Sequence, residues 1–251
     1  MPEGDTLHRI ARTLQTALAG QRVTRFETVL PKLARVDDQT PIAGRTIERV
    51  RAVGKHLLIE FSGSLELRTH LRMNGSWHIY RAGERWQRPR ADMRIVIATG
   101  NWEVVGFNIP VAEFCRVDTP LPVGPDLLAD EVDVAQCAER LKALVDEEIA
   151  EALLNQRAVS GIGNIWKSET LWACRVSPFA KAGSIADGKL REIVITARKL
   201  LRQSVAATSR SRFAVYGRRG EPCRRCGTVI EMRRHGTDAR VTFWCPRCQL
   251  Q

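Results

Sequence analysis

The sequence of 251 residues lacks any stretch approaching 18 uninterrupted apolar residues, so no helical membrane span is expected. Its opening, Met-Pro-Glu-Gly-Asp, has neither the basic nor the apolar segment of a secretory signal, and a cytoplasmic location is expected. There is no internal repeat and no low-complexity tract. Lysine is scarce, with 7 Lys against 32 Arg. Guanidinium forks suit phosphate oxygens and base edges, although a GC-rich coding sequence also raises the Arg count. Placement therefore says more than the ratio. The net charge is +11, and residues 209–251 alone hold ten Arg against three acids. A polyanionic partner is favoured, nucleic acid first.

What is present organises into regions of different texture. Hydrophobic residues make up 44% of the chain, enough for real cores. Residues 6–19 place Leu7, Ile10, Ala11, Leu14, Ala17 and Leu18 at helical spacing, and Gly20 stops the pattern. From about 22 to 117, short β-branched runs such as RVTRFETVL, HLLIEFSG and MRIVIAT alternate with Gly, Asn and Asp. That texture predicts an antiparallel β sandwich or barrel. DTPLPVGPDLLAD, at 118–130, holds three Pro and a Gly and is expected to link domains. Amphipathic spacing then predicts helices over 134–145, 148–155, 164–174 and 188–208.

Seven cysteines fall into two groups. Cys115, Cys137 and Cys174 lie scattered among apolar neighbours and are expected to be buried thiols. Cys223, Cys226, Cys245 and Cys248 form two C-x2-C knuckles separated by eighteen residues, the spacing of a four-cysteine zinc ribbon. Two knuckles deliver thiolates in tetrahedral pairs and leave no open position, so one structural Zn2+ is expected rather than a catalytic one. So short a segment could hardly fold without the metal. Between the knuckles, TVIEMRRHGTDARVTFW reads as a β hairpin with Arg240 near its turn, within reach of a phosphate.

Two further features are weak alone. Gly161-Ile-Gly163-Asn164 precedes a helix, and free N–H groups at a helix N-terminus make an anion site fit for a DNA phosphate. Pro2 follows the initiator Met. Removing Met1 exposes a secondary amine with a modest proton affinity, near the ~7.7–8.0 of α-amino groups. Such an amine is a nucleophile at neutral pH and forms an iminium with a sugar C1′. Glu3, beside it, is placed to donate a proton to the sugar or the leaving base.

Taken together, PEGD at 2–5, GKHLL at 54–58, HLRMNGSW at 70–77, SGIGNIWKSE at 160–169 and the terminal VTFWCPRCQ resemble the formamidopyrimidine-DNA glycosylase/endonuclease VIII family of DNA repair enzymes, in the family's order and over almost the whole chain. The resemblance implies a multidomain α+β fold. It has an N-terminal β sandwich with a leading helix over 1–118 and a linker at 119–130. A helix-two-turn-helix DNA-binding domain over 131–209 and a zinc ribbon over 210–251 follow. It implies a bacterial enzyme that acts as a monomer on damaged double-stranded DNA, with single-stranded DNA as a second candidate partner and no redox or nucleotide cofactor. By position, Pro2 matches the nucleophile, Glu3 the proton donor, and Lys55 a lysine that contacts phosphate and assists catalysis. Asn164 matches the asparagine holding the backbone at the lesion, and Arg240 the finger arginine on the flanking phosphate. His70 sits at a further phosphate contact, and Met73 where members insert a wedge into the hole left by a flipped base.

Two departures stand out. Asp5-Thr6 replaces the usual Pro-Glu, so an auxiliary carboxylate is missing or supplied by Asp5. VVGFNIPVAEF stands where formamidopyrimidine enzymes carry an Arg-Phe-Gly-type loop. Both point to the endonuclease VIII branch and to oxidised pyrimidines. The expected activity is base excision with strand cleavage by β,δ-elimination through a Pro2 Schiff base. The alternatives are an AP lyase with weak base excision and a non-catalytic zinc-dependent DNA-binding protein.

Overall fold

The computed structural model describes residues 2–207, 212–236 and 239–250. Met1, whose removal frees the Pro2 nitrogen, and the expected boundary at 209–210 lie outside them. The chain forms two compact units. One holds Pro2 and Thr6–Leu121, the other Glu3–Asp5 and the residues from Pro122 onward.

In the first unit, α1 (Gly4–Leu18) buries Leu7, Ala11, Leu14 and Leu18, one stripe at helical spacing. Eight strands follow: β1 (Arg25–Thr28), β2 (Ile47–Val53), β3 (His56–Phe61), β4 (Leu65–His70), β5 (Ser76–Arg81), β6 (Met93–Ala98), β7 (Trp102–Phe107) and β8 (Val111–Arg116). They form two antiparallel four-stranded sheets, ordered β1-β6-β7-β5 and β2-β3-β4-β8. Leu57, Ile59, Phe61 and Leu67 of one sheet share a core with Ile95, Ile97, Val104 and Trp77 of the other. Phe114 of β8 lies 5.7 Å from Phe26 of β1 and 6.3 Å from Phe61 of β3, ring centre to ring centre. This is the sandwich that the alternating texture predicts. Tyr80, Met93, Val96, Val105 and Phe107 make a smaller cluster with Trp86.

Local pattern does not reveal α2 (Pro31–Gln39). It starts with Pro at its first turn, as helices favour, and buries one side chain, Leu33. Six of its nine residues are Pro, Lys, Arg, Asp or Gln, too few apolar positions for a periodic signal.

The second unit contains α3 (Val134–Lys142), α4 (Ile149–Ala152), α5 (Asn164–Ala173) and α6 (Asp187–Ala206), then the hairpin β9 (Glu231–His235) and β10 (Arg240–Trp244). Asp133 caps α3 through the Gln136 amide at 2.9 Å, and Arg140 and Lys142 sit at its negative end. The helix expected over 148–155 is a single turn. The Leu154 amide bonds to Glu151 one residue closer than an α-helix requires, and the chain then turns toward Ser160. Nor is the Pro-rich stretch before α3 a free tether. The Gly124 amide bonds Gln156, Pro125 accepts from Ser160, and Leu127 is fully buried.

Cys137 and Cys174 are buried as expected, but Cys115 is not. It is half-exposed on β8, where its thiol approaches the Glu66 carbonyl and carboxylate at 3.8 Å. Partial burial still pushes that thiol up to about 11, so it is no thiolate at neutral pH.

Leu33 is the one fully buried side chain of α2. Leu33→Ala should cost about 2–5 kcal/mol, read as a lowered urea midpoint with an unchanged slope.

Candidate functional site

In the second unit, the N-terminal motif and the glycine motif form one structure. Glu3 is 2% exposed. Its carboxylate accepts from the Gly163, Ile165 and Trp166 amides at 3.0, 2.7 and 3.3 Å. These are orphan donors at the start of α5, whose N-cap is Gly163. The expected phosphate site at this helix end is therefore filled by the chain's own carboxylate, and a DNA phosphate cannot take those donors while Glu3 holds them. The glycines make the approach possible. A Cβ at Gly163 would lie 2.3 Å from Glu3 Cδ. The Gly4 amide donates to the Gly161 carbonyl at 2.9 Å, and a Cβ on Gly4 would lie 2.8 Å from Gly161 Cα. Gly161 itself has φ +99°, where side chains are strained.

Asn164 opens α5, and its Oδ1 is buried with no hydrogen-bond partner among the described residues. Asp5 is buried and accepts from Ser204 Oγ on α6 at 2.5 Å. The carboxylate expected to stand in for the one missing at Thr6 is thus engaged inside the helical unit.

In the first unit, Pro2 is half-buried. Lys55 sits in the two-residue turn between β2 and β3, where Val53 faces His56 and Gly54 has φ +57°. It is 6% exposed, and so is no ordinary surface lysine. His70 ends β4 and is half-buried, with Nδ1 accepting the Arg72 amide at 3.0 Å. Burial, reinforced by the positive charges of Arg72 and Lys55, pushes His70 down to about 4. Met73 is 62% exposed, so it fills no core gap. A cleft beside it is lined by Arg72, Asn74, Arg94, Asn108 and Pro110.

The four ribbon cysteines gather with all Sγ atoms within 4.8 Å of one another. Cys226 and Cys245 are 3.4 Å apart, and Cys223 and Cys248 4.0 Å. Tetrahedral Zn–S bonds of about 2.3 Å imply S–S edges of about 3.8 Å, which these distances bracket. Cys223 Sγ also receives the Arg225 amide and the Trp172 indole N–H, both at 3.4 Å, the donors a thiolate needs. The donor set fits zinc.

Arg240 begins β10 opposite His235. His235 is no metal ligand here. Its Nδ1 meets Glu148 at 2.6 Å, and its Nε2 meets Thr242 Oγ1 at 2.5 Å. The fully buried Lys167 of α5 donates to the same hydroxyl at 2.8 Å. A polar chain, Lys167–Thr242–His235–Glu148, thus fastens the hairpin to α5 and to the residue that caps α4. Glu169 is likewise buried and accepts from the Ala214, Val215 and Tyr216 amides at 2.8–2.9 Å, anchoring the chain ahead of the ribbon. Sequence reading missed both arrangements. No local signal marks either, because Lys167 and Glu169 stand two residues apart, on opposite faces of a helix buried all round.

Comparison with known proteins decides the family. The formamidopyrimidine-DNA glycosylase N-terminal domain model matches residues 1–108. The corresponding H2TH domain model matches 123–214, and that of the zinc finger found in FPG and IleRS matches 220–250. A probable endonuclease 8 of Streptomyces coelicolor is 36% identical over 99% of this chain and 94% of its own length. The chain belongs to the formamidopyrimidine-DNA glycosylase/endonuclease VIII family. A DNA-(apurinic or apyrimidinic site) lyase of Mycolicibacterium smegmatis is 35% identical over 99% of both chains. Lactococcus lactis formamidopyrimidine-DNA glycosylase, solved with DNA containing an AP site, superposes with a TM-score of 0.87 over 100% of both chains at 22% identity. That likeness shows the fold.

Two measurements check this geometry. Gly163→Ala must displace the Glu3 carboxylate and strand buried amides, at about 1–3 kcal/mol. Gly188→Ala, which meets nothing within 4 Å in α6, should be neutral or stabilising. Thermal melts should show a drop of several degrees for the first variant only. Because His70 is held below its ordinary 6.5, the fold favours its neutral form. Its contribution is complete above pH 6.5 and declines as pH falls toward 4. The stability gap between wild type and His70→Asn should therefore change across that window and stay flat above it.

Proposed function

We propose that this chain is a bifunctional DNA glycosylase and AP lyase for oxidised bases, pyrimidines first, acting on duplex DNA through the Pro2 nitrogen. The observation that carries the reading is the Glu3 carboxylate, fixed by three amides of α5 one residue from that nitrogen. A carboxylate anchored as an acceptor is a positioned proton carrier, whereas a solvated Glu at a chain start would be neither fixed nor dry.

Once Met1 is removed, Pro2 is a secondary amine. It attacks C1′ of the flipped nucleotide, and the proton that the nitrogen gives up passes to the Glu3 carboxylate and from there to the departing base. Ring opening gives an iminium that acidifies the C2′ hydrogen, and elimination expels the 3′ phosphate. A second elimination expels the 5′ phosphate, and water releases the sugar fragment. Lys55, poorly hydrated in its turn, places a cation for a phosphate, with His70, Asn164 and Arg240 as further backbone contacts. The exposed Met73 enters the vacated stack, offsetting part of an extrusion cost of a few kcal/mol. Zinc held by Cys223, Cys226, Cys245 and Cys248 supplies the ribbon's folding energy and no reaction step.

Borohydride trapping on an abasic duplex tests the nucleophile. A covalent adduct is expected on the N-terminal proline, located by peptide mass. A chain extended by a residue ahead of Pro2 should form none, and an adduct of undiminished yield there would overturn the assignment. Glu3→Gln should slow release of intact damaged bases by roughly 10²-fold or more, and slow cleavage of preformed abasic sites far less. Elemental analysis should find one zinc per chain, lost in Cys226→Ser with protease sensitivity confined to the ribbon.

A second reading, an AP lyase with weak base excision, draws on the Asp5–Ser204 bond, which ties up the one carboxylate near Thr6. A panel of single-lesion duplexes separates the two, because the weak-excision enzyme cleaves only the abasic member.

A further inference from the structure

The turn that carries Met73 is held in an unusual way. Arg72 lies in the left-handed region at φ +49°, which a non-glycine residue adopts only when its surroundings hold it there. The holding contact is a side chain two residues back, because the Arg72 amide donates to His70 Nδ1 at 3.0 Å. The turn is closed again at its far end, where the Gly75 amide donates to the Leu71 carbonyl at 2.9 Å. A Cβ on Gly75 would lie 2.6 Å from that oxygen, so this position admits glycine alone. The His70 ring is not free to rotate away. His56 faces it across the β3–β4 ladder, with ring centres 4.9 Å apart and planes at 76°.

An accepting Nδ1 also fixes the tautomer. The single ring proton of neutral His70 must then sit on Nε2. Burial, reinforced by the cations Lys55 on the β2–β3 turn and Arg72 on the turn itself, keeps the ring neutral near neutral pH.

We propose that His70 is a positioning residue as well as a phosphate contact: its Nδ1 latches the left-handed Arg72 turn that projects Met73, which leaves Nε2–H as the one donor for DNA. One ring thereby couples backbone docking to wedge presentation, and an arginine or lysine at this position could supply only the first. The proposal rests on the wedge reading of Met73 for its functional consequence, whereas the latch is a property of the free protein.

Two conservative substitutions split the two nitrogens. In His70→Asn, Oδ1 stands in for Nδ1 and accepts from the residue two positions on, as in an Asx turn, but the Nε2 donor is lost. In His70→Gln, the amide nitrogen stands in for Nε2 and the latch is lost. Hydrogen exchange of the Arg72 amide in the free full-length protein reads the latch. Fluorescence of 2-aminopurine stacked beside a tetrahydrofuran abasic analogue reads wedge entry. His70→Asn should keep slow Arg72 exchange and the fluorescence step while binding DNA more weakly. His70→Gln and His70→Ala should exchange this amide roughly tenfold faster, the worth of one net hydrogen bond, and should slow the fluorescence step. An Arg72 amide that exchanges in His70→Asn as fast as in His70→Ala would overturn the latch. So would wild-type exchange in all three variants. If His70→Ala and His70→Gln fail to fold, the Asn variant alone still decides, because tenfold faster exchange in it is incompatible with the proposal. Met73→Ala is the separate control. An unchanged fluorescence step there removes the wedge reading, and the exchange result still judges the latch.

Discussion

A single carboxylate seated on a helix end organises the candidate chemistry. Three amides at the start of α5 would be unsatisfied donors beneath a buried surface, each costing about 1–3 kcal/mol, and Glu3 takes all three. In return, the helix fixes a residue that would otherwise belong to a frayed terminus. Pro2, the proposed nucleophile, is the residue next to Glu3 in the sequence. Pro-Glu-Gly and Gly-Ile-Gly-Asn, each unremarkable alone, are therefore two halves of one arrangement joined across about 160 residues.

Much of the architecture was legible because its signals are local. Leu7, Ala11, Leu14 and Leu18 announce α1, strand alternation announces the sandwich, and the cysteine spacing announces the ribbon. What escaped reading depends on distant partners or on too little apolar content. α2 has one buried residue, so periodicity had nothing to register. The α4 region keeps its apolar spacing while its hydrogen bonds shift, and only the chain's turn toward Ser160 explains that. Nothing in the local sequence marks Lys55 as buried, and Lys167 and Glu169 show a purpose only beside Thr242 and residues 214–216. The glycine motif predicts an anion site for a DNA phosphate, and the anion it holds is instead the chain's own Glu3. No local pattern can show that, because the competing ligand lies at the other end of the chain.

The ribbon follows the same logic as the Glu3 site. Its knuckles supply a metal cage, but its orientation comes from elsewhere. The Trp172 indole on Cys223, the Arg225 guanidinium stacked 4.1 Å over Trp172, and the Lys167–Thr242–His235–Glu148 chain tie it to the helices. Buried polar chains are rarely the most stabilising filling for a core, but they admit fewer alternative dockings than an apolar surface does. A fixed hairpin would give Arg240, the proposed phosphate contact, a defined direction.

The contacts among the glycines also set which sequences can replace this one. The atoms that crowd a Cβ on Gly4 are the Cα, C and O of Gly161, all main chain. No substitution elsewhere can trim main-chain atoms, so sequence drift at Gly4 is blocked unconditionally. The atoms that crowd Gly163 belong to the Glu3 side chain, and a shorter side chain at position 3 would relieve them. Descendants that abandon Glu3 are thereby released to lose Gly163, whereas those that keep the carboxylate must keep the glycine. The dependence runs one way: a member of this fold lacking Gly163 should lack Glu3 as well.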